Sequence, residues 1–331
     1  MTSPMPLAVA LGDPAGIGPE IVAKSWERRE ALAVPPFFAV GDCDAIEAVW
    51  KGPLRVIAEP GEAGLCFGEA LPVIRVGGGH GVTPGAPDTE GARNSLDALE
   101  LAVGLTRSGA ASGLVTGPVS KSRLYAIGFV HPGQTEFVAE RCGVSIDHVA
   151  MMLVGPTLRT VPVTVHIPLS DVPAALTADR IVARGRATVR GLQRQFGIAR
   201  PRIAVAGLNP HAGEDGALGR EEIDVIVPAI ERLREDGFDI IGPVPADALF
   251  HDRRRRTYDA ALCMYHDQAL VPLKTLHFDE GVNMTLGLPI VRTSPDHGTA
   301  FAIAGRDQAD PGAMVAALKT AADCTRRIAQ A

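Results

Sequence analysis

Cysteine is sparse and unpatterned: five residues in 331, Cys43, Cys66, Cys142, Cys263 and Cys324, with no CxxC pair among them. The odd count and wide scatter exclude a disulfide framework and a thiolate zinc site, so any metal must be held by nitrogen and oxygen donors. An excess of basic residues is also missing, since 32 Lys and Arg against 38 Asp and Glu give a net charge of −6. That balance attracts neither nucleic acid nor an anionic membrane, and a small metabolite is the expected partner. No apolar run approaches the roughly 18 residues of a membrane span. The opening MTSPMPLAVALGDPAG has no basic segment leading into a long apolar one. The expectation is a soluble, cytoplasmic protein. Internal repeats and low-complexity segments are absent too.

What is present is ordinary globular material, 46% hydrophobic and 21% charged, punctuated by 36 Gly and 26 Pro that suit many tight strand-to-helix turns. The length exceeds the roughly 250 to 300 residues at which single cores stop growing, so two lobes with a cleft are expected. Short apolar runs at Leu7–Leu11, Phe37–Val40 and Gly113–Thr116 are each followed by a glycine-containing turn and a helical stretch, the grammar of a parallel α/β sheet. Helices are expected from about Pro19 to Ala31, from Ser95 to Arg107 with Asn94 or Ser95 as cap, over Asp179–Phe196 and Glu221–Asp236, and at the end over Pro311–Ile328. Val149–Val154 and Leu158–Val165 read as an antiparallel pair, and the Gly- and Pro-rich stretch from Gly52 to Gly91 as a peripheral excursion with a single strand at Val73–Val76.

Nucleotide-loop fingerprints are not met. Gly12–Glu20, GDPAGIGPE, runs G-x-x-x-G-x-G instead of G-x-G-x-x-G, and in TGPVSK Ser120 precedes Lys121 where a Walker loop needs Gly. Lys121 is thus either an anion-binding lysine or a solvated one at a helix start. The basic run Arg253–Arg256 reads as a solvated or subunit-contact feature.

The chemistry concentrates around AALCMYHDQALVPLK, Ala260–Lys274, in which an apolar run hands over to Tyr265, His266, Asp267 and Gln268. Val161–Val165 leads in the same way to His166, and Ile203–Leu208 through Asn209 and Pro210 to His211. Ligands of open α/β sheets bind beyond the carboxyl ends of the strands, so the three imidazoles have a common place to converge. Three neutral imidazoles can hold a divalent cation with a position left for substrate; otherwise they are hydrogen-bonded structural residues. Asp247 and Asp267 could orient ligands or carry protons. Lys274, Asn283 and Arg292 supply donors that grip a carboxylate or phosphate, and Gln134 and Thr135 stand at a helix start that favours an anion.

Taken together, GDPAGIGPE, TGPVSK, PGQTEF, LNPHAGE, PADALF, MYHDQALVPLK, NMTLGLPIVRTSPDHGTA and IAG resemble, nearly end to end, the 4-hydroxythreonine-4-phosphate dehydrogenases of pyridoxal phosphate biosynthesis. The resemblance implies an α/β fold like that of the isocitrate and isopropylmalate dehydrogenases, two α/β/α sub-domains with a cleft between them. A cofactor-side sub-domain would span 1–130 plus 285–331, and a metal, substrate and dimerisation sub-domain 131–284. It implies oxidation of 4-phosphooxy-L-threonine at its 3-hydroxyl by NAD or NADP, with loss of carbon dioxide to give 3-amino-2-oxopropyl phosphate. It implies His166, His211 and His266 as ligands of one divalent metal (zinc, magnesium, cobalt or manganese) and Gln134, Thr135, Lys274, Asn283 and Arg292 as substrate-binding positions. His297, Gly298 and Thr299 fall in the stretch resembling a cofactor loop near the adenosine. It further implies a homodimer with residues of both subunits in each active site. Asp247, Asp267 and Lys274 remain alternatives for the general base. Three positions depart from the commonest pattern: Gln134 replaces His, Ala269 replaces Gly, and Ala302 stands where related loops carry Asp. A paralogue acting on another phosphorylated 3-hydroxy acid, such as a four-carbon aldonate 4-phosphate, is the nearest alternative. A metal-binding regulatory protein and a phosphotransacetylase-like acyl transferase are more distant ones.

Overall fold

A computed structural model describes residues 5–79 and 81–330. The first four residues of the opening segment and His80 of the GGGHG turn lie outside them. The strands are β1 (Leu7–Ala10), β2 (Phe37–Gly41), β3 (Leu54–Val56), β4 (Leu71–Arg75), β5 (Leu114–Thr116), β6 (Ala150–Val154), β7 (Arg159–Pro162), β8 (Arg202–Ala206), β9 (Asp239–Val244), β10 (Ala260–Cys263), β11 (Val282–Leu286) and β12 (Arg292–Pro295). The chain divides into two compact units, one ending at Cys142 and resumed over Pro289–Arg326, the other covering Gly143–Leu288 and the residues from Arg327.

In the first unit the strand order is β3-β4-β2-β1-β5-β12, parallel throughout. Strands of such a sheet are covered on both faces, which is why Leu7–Leu11 and Phe37–Val40 are continuous apolar runs with every residue buried. The helix Thr89–Arg107 packs on β1 and β2 through Ala98, Leu99, Ala102 and Val103. It starts a turn and a half earlier than expected because Asp88, not Asn94 or Ser95, caps it by accepting from Gly91 N at 2.7 Å. Its first turn, Thr-Glu-Gly-Ala-Arg, carries no large apolar residue to announce it. The expected excursion contains a second strand, β3, whose side chains are mostly exposed and so lack an alternating signal.

In the second unit the order is β11-β6-β7-β10-β8-β9. β7, β10, β8 and β9 are parallel, while β6 pairs antiparallel with both β7 and β11. The antiparallel pairing of β6 and β7 was expected from the sequence. The helix Ala178–Phe196 packs on β6, β10 and β11, and the helix His266–His277 on β6, β7 and β10. Three segments fall differently from the boundaries read in the sequence, one of them the residues from Arg327, which group with the second unit. Residues 131–142 sit in the first unit, where Phe137 packs on Phe129 and His131. The return occurs at Pro289 because β11, paired with β6 over Val282–Leu286, carries the chain through Leu286 in the second unit.

Candidate active site

In the second unit β7 and β10 lie side by side, and their alignment continues past the last strand residues. Val163 N donates to Cys263 O at 2.8 Å, and Thr164 Oγ1 to Met264 O at 2.8 Å. Two residues beyond the second of these pairings come the imidazoles of His166 and His266, with ring centroids 5.7 Å apart. His166 turns away from extended geometry at φ 51°, whereas His266 opens the helix His266–His277. Both line a cavity of about 230 Å³ together with Tyr265 and Asp267. Asp267 Oδ1 lies 2.7 Å from His266 Nδ1, within hydrogen-bond reach.

His211 is delivered differently. After β8 the chain enters a short left-handed turn in which His211, Ala212, Glu214 and Asp215 all have φ between 44° and 53°. Left-handed geometry costs an L-residue about 1–2 kcal/mol, so something must hold the turn. Backbone bonds close it, Ala212 N to Asn209 O at 3.1 Å and Leu218 N to Gly213 O at 3.0 Å, and the chain entering it is anchored by Glu222, 3% exposed, whose Oε1 accepts from Leu208 N and Asn209 N, both at 2.8 Å, and whose Oε2 accepts from Asn209 Nδ2 at 2.9 Å. A Cβ on Gly213 would approach the same carboxylate at 2.6 Å, so this position needs glycine for space as well as for its φ of 83°. The buried Gln268 links the ends of β10 and β8, accepting from Met264 N at 2.6 Å and donating to Gly207 O at 2.8 Å. Asp247 is exposed on a turn packed against the His211 loop. Lys274 lies further along the His266 helix, and Asn283 sits in β11 with a buried Oδ1 that has no hydrogen-bond partner. Among the described residues no three His, Cys, Asp or Glu side chains form a metal-holding group. The chain pairs His166 with His266, and His211 does not complete a triad with them.

The first unit carries the remaining anion-binding candidates. Arg292 opens β12 beside β5 and is 3% exposed. Its Nη2 donates to Thr116 Oγ1 at 2.7 Å and its Nη1 to Thr135 Oγ1 at 3.3 Å. Burial pulls its pKa down to about 10, against the opposing pull of Glu136, so it remains a cation at neutral pH. Thr135 belongs to the helix Gln134–Arg141, and Gln134 Nε2 donates to Gly117 O at 3.1 Å. Gln134, Thr135 and Arg292 are thus assembled in one place. Lys121 is exposed at the start of the helix Lys121–Ala126 and lies beside Gly133.

His297, Gly298 and Thr299 follow β12. Thr299 O accepts from Ile17 N at 3.0 Å, pressing this loop onto the turn GDPAGIGPE. Farther on, Ala309 N donates to Glu20 Oε1 at 3.0 Å and Lys24 Nζ to Ala309 O at 3.0 Å, tying the loop to the helix Gly18–Glu27. A side chain at Gly298 would meet nothing within 4 Å. Sequence reasoning gave no role to Glu222, Gln268, Thr116, Glu20 or Lys24. The available signal was their place beside the recognised motifs, but partners as distant as Glu20 and Ala309 have none.

Residues 35–321 match the family described as Pyridoxal phosphate biosynthetic protein PdxA. A 4-hydroxythreonine-4-phosphate dehydrogenase of Zymomonas mobilis is 58% identical over 318 residues, 96% of this chain and 95% of its own. The chain belongs to this family. Its fold is the family's as well: the crystal structure of 4-hydroxythreonine-4-phosphate dehydrogenase from Klebsiella pneumoniae superposes with a TM-score of 0.86 at 35% identity, covering 97% of this chain and 99% of that one. It is an α/β architecture, as the resemblance implied. A branched-chain phosphotransacylase from Enterococcus faecalis, at 11% identity and a TM-score of 0.56 over 96% of this chain and 98% of its own, shares the fold alone.

Proposed function

We propose that this protein is a 4-hydroxythreonine-4-phosphate dehydrogenase. It would oxidise 4-phosphooxy-L-threonine with NAD or NADP to 2-amino-3-oxo-4-phosphooxybutanoate, which loses carbon dioxide to give 3-amino-2-oxopropyl phosphate. The observation that carries the reading is the near-complete coverage by relatives of that name, 58% identical in one case. The name carried by that relative favours it over the paralogue acting on an aldonate phosphate, and the acyl-transferase alternative rests on fold alone.

In this reading the hydride leaves C3 of the substrate for the nicotinamide ring, and the hydroxyl proton passes to a base. Arg292, held flat by Thr116 and Thr135, grips an anionic group of the substrate, and Gln134 adds a neutral donor where many relatives carry histidine. The orphan Oδ1 of Asn283 accepts from a substrate ammonium or hydroxyl. Asp267 is engaged by His266, so Asp247 and Lys274 are left to take the proton. His297–Thr299 carry the nicotinamide nucleotide. With Ala302 in place of a carboxylate, that loop offers no group at this position to choose between NAD and NADP.

The imidazoles fit a divalent ion in kind, since His166 and His266 are adjacent, and Asp267 lies within hydrogen-bond reach of His266 Nδ1, as a second-sphere partner should. A divalent ion bound there supplies Lewis acidity toward the hydroxyl and toward the enolate left by decarboxylation. Zinc, magnesium, cobalt and manganese all suit such donors to different degrees. A homodimer belongs to the same reading, the second copy completing the donor set. It is supported by exposed apolar side chains close in sequence to the two histidines: Leu169 after His166, and Val271, Leu276 and Phe278 along and after the His266 helix. The five cysteines are all free, as a reducing cytoplasm requires, and no helix among the described residues is long and apolar enough to cross a membrane.

The test is reduced-nucleotide formation from 4-phosphooxy-L-threonine by protein stripped with chelator and then resupplied with divalent metal. Turnover restored by metal supports the reading. Oxidation of a four-carbon aldonate phosphate instead would replace the substrate, and inactivity toward both would remove the dehydrogenase assignment.

A further inference from the structure

The turn GDPAGIGPE, Gly12–Glu20, has no task in the chemistry above, yet the loop after β12 comes to rest on it. Ile17 N donates to Thr299 O at 3.0 Å, and a Cβ added at Gly16 would stand 3.0 Å from the same oxygen, so the loop reaches the turn over a residue without a side chain. Farther along, both backbone groups of Ala309 are taken by the helix Gly18–Glu27. Ala309 N donates to Glu20 Oε1 and Ala309 O accepts from Lys24 Nζ, each at 3.0 Å. Glu20 and Lys24 stand one helical turn apart and pair at 2.8 Å, with side chains only 3% and 12% exposed. Asp307 Oδ1 meets the same Nζ at 2.8 Å. Between the two attachments the loop closes local turns, Ile303 N to Ala300 O at 3.0 Å and Arg306 N to Ile303 O at 3.1 Å. Ala300 and Asp307 take left-handed geometry there, φ 43° and 58°, which L-residues adopt at a cost.

A buried ion pair is by itself a weak source of stability, because taking two charges out of water offsets most of their attraction. The geometry of this one serves the loop: each member binds a backbone group of Ala309, and Lys24 adds the bond to Asp307. The loop also presents an open face, since His297, Gly298 and Ala300 are exposed and a side chain at Gly298 would meet nothing within 4 Å. A loop held on one face and open on another is ordered before its ligand arrives, so binding does not bear the cost of ordering it. We infer that Glu20 and Lys24 are a positioning pair for the nicotinamide nucleotide, holding residues 297–309 in the shape that receives it. The inference rests on the reading of His297–Thr299 as the cofactor loop and adds to it the residues that fix the loop in place. It also gives the GDPAGIGPE motif a role without phosphate contact, as the seat of a second loop.

Fluorescence titration of the full-length protein with NADH and with NADPH, beside amide hydrogen exchange over 297–309, tests it. Lys24→Met keeps the length of the side chain and removes its donors. It should weaken the better-bound nucleotide by about tenfold while leaving the Kd for 4-phosphooxy-L-threonine within about twofold of the parent, because only the nucleotide must then order the loop. Exchange over 297–309 should rise in the same variant without nucleotide. Should the unpaired Glu20 keep Lys24→Met from folding, the double variant Glu20→Gln, Lys24→Met leaves no unmatched buried charge and is expected to give the same readings. A parent protein that binds neither reduced nucleotide removes the cofactor reading, and the role of the pair with it. If the parent binds one of them and both variants bind it as tightly, with exchange unchanged, the role of the pair alone is overturned. Equal weakening of nucleotide and phosphorylated substrate would mark a general loosening of the unit and overturn it as well.

Discussion

The anion grip of the first unit and the histidine centre of the second are built to different degrees of completion. Around Arg292 the donors and acceptors already meet: two threonine hydroxyls accept from the guanidinium, and Gln134 is tied to Gly117. Around the histidines one pair has formed, and His211 stands exposed on a strained turn. A site that is finished before its ligand arrives costs little to organise on binding. A site whose parts come from strained or unjoined segments needs its metal, or a second copy of the chain, to complete it. The contrast predicts that damage to the first region shows mainly in substrate affinity and damage to the second in metal retention.

The largest effect is expected from His211→Ala, which should abolish metal-dependent turnover and lower bound metal in elemental analysis while the circular dichroism spectrum is kept. A fully active variant would take that histidine out of the site. Arg292→Ala should follow, lowering kcat/KM by about a thousandfold through the loss of two charge-assisted hydrogen bonds. Most of the loss should appear in KM, and an unmoved KM would end its role as the anion grip. Glu222→Gln sharpens the comparison because it touches no substrate. Its weaker acceptors should loosen the His211 turn, weaken metal binding by about 10- to 100-fold and lower stability by about 1–3 kcal/mol. Metal titration alongside thermal unfolding checks both, and unchanged metal affinity would show that the turn holds itself. Smallest is the pH effect. A buried arginine with its pKa pulled down to about 10 keeps its charge through neutrality and loses it as pH rises through that value. Affinity for the phosphorylated substrate should therefore be flat near pH 7 and fall above about 10, whereas a decline centred near 7 would assign the anion-binding charge to another group.

The strands that lead to the three histidines were legible as apolar runs, because parallel strands buried on both faces leave an unbroken hydrophobic signature. Their ends were not. β7, β8 and β10 stop at Pro162, Ala206 and Cys263, yet Val163 and Met264 stay buried beyond them, so the apolar run outlasts the strand. The left-handed turn at His211 was invisible for a different reason. Its non-glycine residues carry no local mark of it, and the Glu222 carboxylate that anchors the chain ahead of it at Leu208 and Asn209 lies outside the turn. The grouping of Gln134 and Thr135 with Arg292 was implied by family likeness, and the hydrogen bond that joins them spans 157 residues. Asp88 as a cap was overlooked because the periodic apolar positions begin only after the first helical turn.

The first unit is assembled from two distant stretches of chain, and this has a consequence for its birth on the ribosome. Arg292 meets Thr116 across 176 residues, and β12 cannot take its place beside β5 until the intervening polypeptide has been made. At roughly 5–20 residues per second that wait is on the order of 10–35 seconds. During it the edge of β5 stands open as an unpaired template for any neighbouring strand. The second unit, almost wholly contiguous, has no such interval. The arginine proposed to grip the anion is therefore also carried by the strand that arrives last to close the nascent sheet.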